Sequence, residues 1–243
     1  MISICLTTYN GEKHIQAQLD SIISQLSAGD EIIISDDGST DRTIEIIQNY
    51  KDDRIKVFIH NKCNNFNKYP FYKITKNVEN ALNHAKGDLI FLADQDDIWT
   101  STKVQTVIHE IGNELCLLHD CIVVDEKEKE LISSYYMLNK SKLGIATNII
   151  NSSYLGCCMA IRMELLEKAL PFPSIPVPHD IWLGLIAEWK GRTKMSTQKL
   201  LKYRRHGSNL STSSEKSKAS FFYKARYRVN ILSALLIRML LNK

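Results

Sequence analysis

The chain has 243 residues, 44% of them hydrophobic and 24% charged, with a formal charge of +4 at pH 7. That is material for one large domain, or for a domain with an appendage, and for a sizeable core. The mild charge, with no dense Lys/Arg cluster interleaved with aromatics, excludes nucleic-acid binding through bulk electrostatics.

The first half alternates. "ISICL" reads as a buried strand, and Ile15, Leu19, Ile22 and Leu26 then share one helical face. "EIIIS" is a second strand, followed by the helix "STDRTIEIIQNY" with Ser39 or Thr40 as its expected N-cap. "RIKVFIH" makes a third strand, residues 61–70 a loop, "FYKITKNVENALNHA" a helix and "DLIFLA" a fourth strand. This order predicts an α/β fold whose parallel sheet is covered by helices. Ligands in such sheets bind at the carboxyl ends of the strands. The polar motifs "TTYN", "DDGSTD" and "DQDD" all fall at those ends, so chain-distant segments are expected to meet on one edge.

The second half is less regular. "ELCLLHDCIVVD" and "YLGCCMAI" resemble strands, and "RMELLEKAL" is a short helix stopped by "PFPSIPVP". A helix is expected from "HDIWLGLIAEWKG", with Gly191 suiting its C-terminal cap. "KLLKYRRHGSN" looks like a strand entering a basic turn, 211–218 like a linker, and 219–243 like a basic amphipathic helix. The expected organisation is thus a domain over 1–210, the linker, and the C-terminal helical appendage.

Asp94, Asp96 and Asp97 gather behind an apolar strand, where close carboxylates repel and lose hydration. An arginine or lysine, a metal ion, or water around a solvated turn would answer that charge. Hard oxygen ligands suit Mg2+ or Mn2+, which bind through one or two carboxylates plus phosphate oxygens. Trp99 is expected behind the cluster as core. In "SDDGSTD", Gly38 gives backbone freedom for a turn, and Asp36 or Asp37 could accept from a nucleobase or ribose.

The set "TTYNGEKHIQAQLDSI", "DDGSTD", "GDLIFLADQDDIW", "HDIW" and "YRRHGSN" resembles glycosyltransferase family 2, in particular its rhamnosyltransferase-like members, over about residues 1–210. The resemblance implies a GT-A (Rossmann-like) fold and an inverting, metal-dependent transfer from a nucleotide sugar. It places the nucleotide on Thr7, Tyr9, Asn10, Asp36 and Asp37. The DxD motif maps onto Asp94, Gln95 and Asp96, with Asp96 the direct ligand of Mn2+ or Mg2+ and Asp94 near the ribose or metal waters. Asp97 has no firm role. "PHDIW" supplies Asp180 as catalytic base, whose bland reading is a helix N-cap; His179 is a supporting residue. Arg205 and His206 are candidates for the diphosphate or metal, while Arg204 and Arg205 could instead be solvated charges. Lys76 and Asn77 match a donor-contacting pattern, or lie on an exposed helix face.

A QxxRW motif is absent, which implies one sugar per event. The resemblance implies dTDP-rhamnose or a UDP-hexose as donor, a lipid-linked glycan as acceptor, and bacterial surface polysaccharide as the setting. The rival is a catalytically silent nucleotide-sugar-binding or scaffold protein of the same fold. The six cysteines form no CxxC pair, Cys5, Cys116, Cys121 and Cys158 sit in apolar stretches, and no secretory signal or apolar run of about 18 residues is present. A cytoplasmic location is expected. Residues 219–243 suit either the inner face of an anionic membrane or a protein contact.

Overall fold

The N-terminal strands are buried at nearly every position because each side of the sheet has its own core. In β1 (Ile2–Thr8), Cys5 enters one core while Ile4 and Leu6 enter the other. β2 (Glu31–Asp36) and β4 (Leu89–Asp94) divide their residues in the same alternating way. The computed structural model describes residues 1–60, 69, 71–205 and 220–241. The expected loop, apart from Tyr69, the expected linker and His206 lie outside the described residues.

The other strands are β3 (Ile55–Ile59), β5 (Ile98–Trp99), β6 (Cys116–Val124), β7 (Glu130–Ile132), β8 (Met159–Arg162) and β9 (Thr193–Arg204). They join in the order β3-β2-β1-β4-β8-β6-β9-β5, with β7 paired to β6. β1, β2, β3, β4, β6 and β9 run one way, and β5, β7 and β8 return against them. The register sets Thr8 beside Asp36 and Thr7 beside Asp94. The expected convergence at the carboxyl edge is therefore fixed by strand pairing.

The helices are α1 (Ile15–Ile23), α2 (Thr43–Gln48), α3 (Phe71–Leu82), α4 (Lys103–Ile111), α5 (Tyr135–Asn139), α6 (Ile145–Ile150), α7 (Met163–Ala169), α8 (His179–Trp189) and α9 (Phe221–Leu241). α1 and α4 bury Ile15, Leu19, Ile22, Val104, Val107 and Ile111 on one face of the sheet. α3, α7, α8 and α9 cover the other, through residues such as Val78, Leu165, Trp182 and Ile231. The result is an α/β/α sandwich of the GT-A kind. α9 docks through Ile231, Ala234 and Leu235, and Arg238 donates to the carbonyls of Lys168, Leu170 and Pro171 beneath it.

Three expectations need correction. α2 starts at Thr43, with Arg42 at the N-cap; Ser39 and Thr40 instead bond Asp36 and Asn10. "YLGCCMAI" is a strand only from Met159, because Gly156–Cys158 forms a 3-10 turn. Arg204 is not a solvated charge: it is buried at the end of β9. Gly191 behaves as expected. At φ +69° it lets its own N–H reach the Glu188 carbonyl and Arg192 N–H reach that of Ala187, closing α8.

Candidate active site

On one side of the edge, two loops are bolted together. Asn10, at φ +49°, donates its N–H to Ser39 Oγ at 2.9 Å, and its Oδ1 accepts from Thr40 N–H at 2.8 Å. Gly11 N–H donates to Thr43 Oγ1 at 2.7 Å. Asp36 is 1% exposed, and its carboxylate accepts from Thr8 Oγ1 at 2.6 Å, Ser39 Oγ at 2.5 Å, Ser39 N–H at 2.7 Å and Gly38 N–H at 3.0 Å. A buried charge survives when hydrogen-bonded this fully. Asp36 therefore builds the turn, and Asp37, whose side chain meets His60 Nδ1 at 3.1 Å, is the acid of the pair with accepting capacity left over.

Asn77 braces this loop pair from beneath. Its Oδ1 accepts from Ser35 Oγ at 2.6 Å and its amide reaches the Thr8 carbonyl at 3.4 Å, with the residue 4% exposed. Lys76 is engaged by Glu79 Oε2 at 2.6 Å. Gln95 is likewise engaged: its amide exchanges hydrogen bonds with the backbone of Tyr9, at 2.9 and 3.1 Å, and a Cβ on Gly11 would collide with it. The Tyr9 side chain projects into solvent, 46% exposed, and Thr7 is buried beside Asp94.

On the other side the acids crowd. Burial, then the charges of Asp96 and Asp180, push the half-buried Asp94 carboxyl up to about 7. Burial, then Asp96 and Asp94, hold Asp97 well above the carboxylate range. Asp97 Oδ1 accepts from Arg204 N–H at 3.0 Å, while its buried Oδ2 has no hydrogen-bond partner. Burial also raises Asp180. Asp180 is not the N-cap of α8, which is Pro178; its Oδ1 accepts from Ile181 N–H at 2.8 Å. Burial, and after it the Asp180 charge, keeps the Tyr135 and Tyr227 phenols protonated, which brings α5 and α9 to its surroundings.

Two cations sit behind the acids. Lys103 is fully buried, donates to the Cys157 carbonyl at 2.8 Å and lies 4.0 Å from the Trp99 ring centroid. Burial lowers its pKa, while the Asp97 charge acts in the opposite sense. Arg204 donates through Nε to the Asp96 carbonyl and through a terminal nitrogen to that of Glu126, each at 2.9 Å. Neither was among the residues expected from motif reading, nor was Cys157. The available signal for Lys103 is a lysine opening α4, where the helix dipole disfavours positive charge. Arg205 donates its N–H to the Val124 carbonyl, so its backbone continues the pairing of β9 with β6.

The arrangement offers a turn with one acid left to accept, and facing it a set of oxygen donors short of positive charge. Comparison with known proteins agrees with it. The family described as Glycosyl transferase family 2 matches residues 3–170. The chain is 30% identical over 190 residues to the UDP-Glc:alpha-D-GlcNAc-diphosphoundecaprenol beta-1,3-glucosyltransferase WfaP of Escherichia coli, covering 77% of this chain and 71% of that one. It is 30% identical over 181 residues to the dTDP-rhamnosyl transferase RfbG of Shigella flexneri, covering 69% of this chain and 57% of that one. It superposes on S. aureus TarS in complex with UDP-GlcNAc at a TM-score of 0.68 and 20% identity, covering 96% and 67% of the two chains. With the mannosyltransferase PcManGT of Pyrobaculum calidifontis, in complex with GDP-Man and Mn2+, the TM-score is 0.63 at 16% identity, over 97% and 64%. The fold is that of the GT-A glycosyltransferases. The chain belongs to glycosyl transferase family 2.

Proposed function

We propose that this chain is an inverting, divalent-metal-dependent transferase that moves one sugar from a nucleoside-diphosphate sugar to a hydroxyl of a lipid-linked glycan. The observation that carries this reading is that Asp180, from α8, lies within electrostatic reach of Asp94, from β4, and adds to the raising of Asp94 by burial and Asp96. In the proposed reaction an acceptor oxygen attacks C1 as the bond from C1 to the diphosphate breaks. Asp180, whose carboxylate burial makes more basic than an exposed one, takes the proton of the acceptor hydroxyl. Asp37, Asn10 and Tyr9 receive the nucleotide on the bolted loops, and Arg205 stands at the diphosphate end.

The acids fit a hard cation. Their donors are carboxylate oxygens, Asp97 Oδ2 is buried and unpaired, and the cluster is under-neutralised. Asp94 and Asp96, with Asp97 behind them, would hold Mn2+ or Mg2+. When bound, the ion supplies positive charge for the departing diphosphate. The Mn2+ complex of PcManGT supports this reading. The names of WfaP and RfbG support a UDP-hexose or dTDP-rhamnose donor, and WfaP's a polyprenyl-diphosphate acceptor, in bacterial surface polysaccharide assembly.

No described helix is long and apolar enough to cross a membrane. α9 instead carries an exposed stripe, Phe222, Val229, Leu232, Leu236 and Leu240, opposite its docked face. This stripe is the proposed contact with the cytoplasmic leaflet that holds the acceptor. Because deleting α9 would strip the core, the clean test is Leu236→Ser with Leu240→Ser, which should reduce liposome sedimentation; unchanged sedimentation counts against the contact.

The catalytic reading is tested by calorimetry and turnover together. UDP, dTDP and GDP are titrated with Mn2+ and with EDTA into wild type and Asp96→Ala, and Asp180→Asn is assayed for transfer. One nucleotide should bind only with metal, and not to Asp96→Ala. Asp180→Asn should keep that binding and lose transfer; near-normal turnover would remove Asp180 as base.

A further inference from the structure

The acid cluster contains a donor that the transferase reading does not use. Cys157 follows Gly156 in the 3-10 turn ahead of β8, and is 1% exposed. Its sulfur and one carboxylate oxygen each of Asp94 and Asp97 all lie within 4.8 Å of one another. The second, independent feature is Asp97 Oδ2, which is buried without a hydrogen-bond partner in a residue 1% exposed. Unsatisfied buried polar oxygens are costly, so the position asks for a partner.

We propose that Asp94, Asp97 and Cys157 form a binding site for a thiophilic divalent cation, Zn2+ or Cd2+, distinct in its donor set from the hard-ion site but sharing Asp94 with it. Zinc bonds to sulfur at about 2.3 Å and to carboxylate oxygen at about 2.0–2.2 Å, so tetrahedral donors stand roughly 3.5 Å apart. The three donors here need to close by only about an ångström to reach that spacing. A water can fill the fourth position on the side of the half-buried Asp94. As the metal–sulfur bond forms, the thiol proton leaves to solvent, together with any proton held on the two carboxyl groups that become ligands. Two carboxylates and a thiolate then balance the dication together with the Lys103 ammonium, which is fixed to the Cys157 carbonyl. A soft sulfur donor favours Zn2+ and Cd2+ over Mg2+, so the site selects by ligand type.

Binding of the soft ion does not depend on the transferase reading; only its exclusion of the hard ion does, through Asp94. The purified protein is titrated with Cd2+ while the ultraviolet thiolate-to-cadmium charge-transfer band and proton release are followed. Wild type should give a band saturating at one equivalent, with protons released as the ion binds. Cys157→Ser should lose the band with its thermal melt intact, Cys158→Ser should keep it, and Asp97→Asn should bind at least tenfold more weakly. A band absent from wild type, or unchanged in Cys157→Ser, overturns the site. If Cys157→Ser does not fold, Asp97→Asn decides: undiminished Cd2+ affinity overturns it. Excess Mn2+ should weaken Cd2+ binding, and independent binding of the two ions would refute the shared ligand.

Discussion

Replacing Asp94 by Asn should make the metal-free protein more stable while removing its metal-dependent nucleotide binding. The Asp94 carboxyl titrates at about 7 in the folded chain against an ordinary 3.8, so between those values the native state keeps a proton that the unfolded chain has lost. Stability therefore falls as pH rises through that window, and the loss is complete above about pH 7. At 1.36 kcal/mol per pH unit the difference amounts to ~4 kcal/mol, and solvent on the half-buried side trims it to ~2–4 kcal/mol. Asn keeps the shape and loses the charge. Asp94→Asn should thus melt about 5–15 °C above wild type near pH 8, at roughly 2–4 °C per kcal/mol, and close to wild type near pH 4.5. The assay is thermal unfolding in EDTA from about pH 4.5 to 8. A variant no more stable than wild type at the alkaline end, or a difference independent of pH, would refute the electrostatic account of this edge.

Other perturbations separate the supports of the site. Lys103→Met removes a buried charged hydrogen bond and a contact with the Trp99 ring, and should cost about 2 kcal/mol in urea unfolding. Asn77→Ala takes one hydrogen bond each from Ser35 Oγ, which keeps Asn80, and from the Thr8 carbonyl, which keeps the Asp37 N–H; it should cost about 1 kcal/mol while weakening nucleotide affinity more than metal affinity by calorimetry. Arg238→Ala frees the carbonyls of Lys168, Leu170 and Pro171 and uncovers Trp182. It should lower stability by about 2 kcal/mol and, if α9 loosens, raise hydrogen exchange across that helix before the sheet.

Much of this architecture is readable before any coordinates, because it rests on period and punctuation. The continuous apolar runs of β1, β2 and β4 announce strands buried on both faces, and the motifs behind them must then share an edge. What escapes reading is which polar residue goes inward. Arg204 and Arg205 are adjacent on one chain, and only the pairing of β9 with β6, with its register shifts, decides that Arg204 is the buried one. Asp36 and Asp37 look equivalent as letters, yet the turn consumes the first. α4 was there to be found in the spacing of Val104, Val107 and Ile111; β5, two residues long, carries no signal of its own. Lys103 offsets part of the charge that Asp94, Asp96 and Asp97 gather, but a lysine's burial cannot be seen from its neighbours in sequence. Cys157 reaches the acids only because Gly156–Cys158 turns instead of extending.

The two halves of the edge differ in how much they have left to change. The loops carrying Asn10, Ser39 and Thr40 already hold one another through backbone donors and side-chain acceptors. A nucleotide arriving there orders little, so under the proposed donor role its binding should show fast association and a heat-capacity change no larger than the area it covers. The acids opposite are held in mutual conflict, and only a counter-charge relieves it. Donor and cation should consequently bind with positive cooperativity that originates on one bank of the cleft: the rigid bank sets the position, and the frustrated bank sets the order of events.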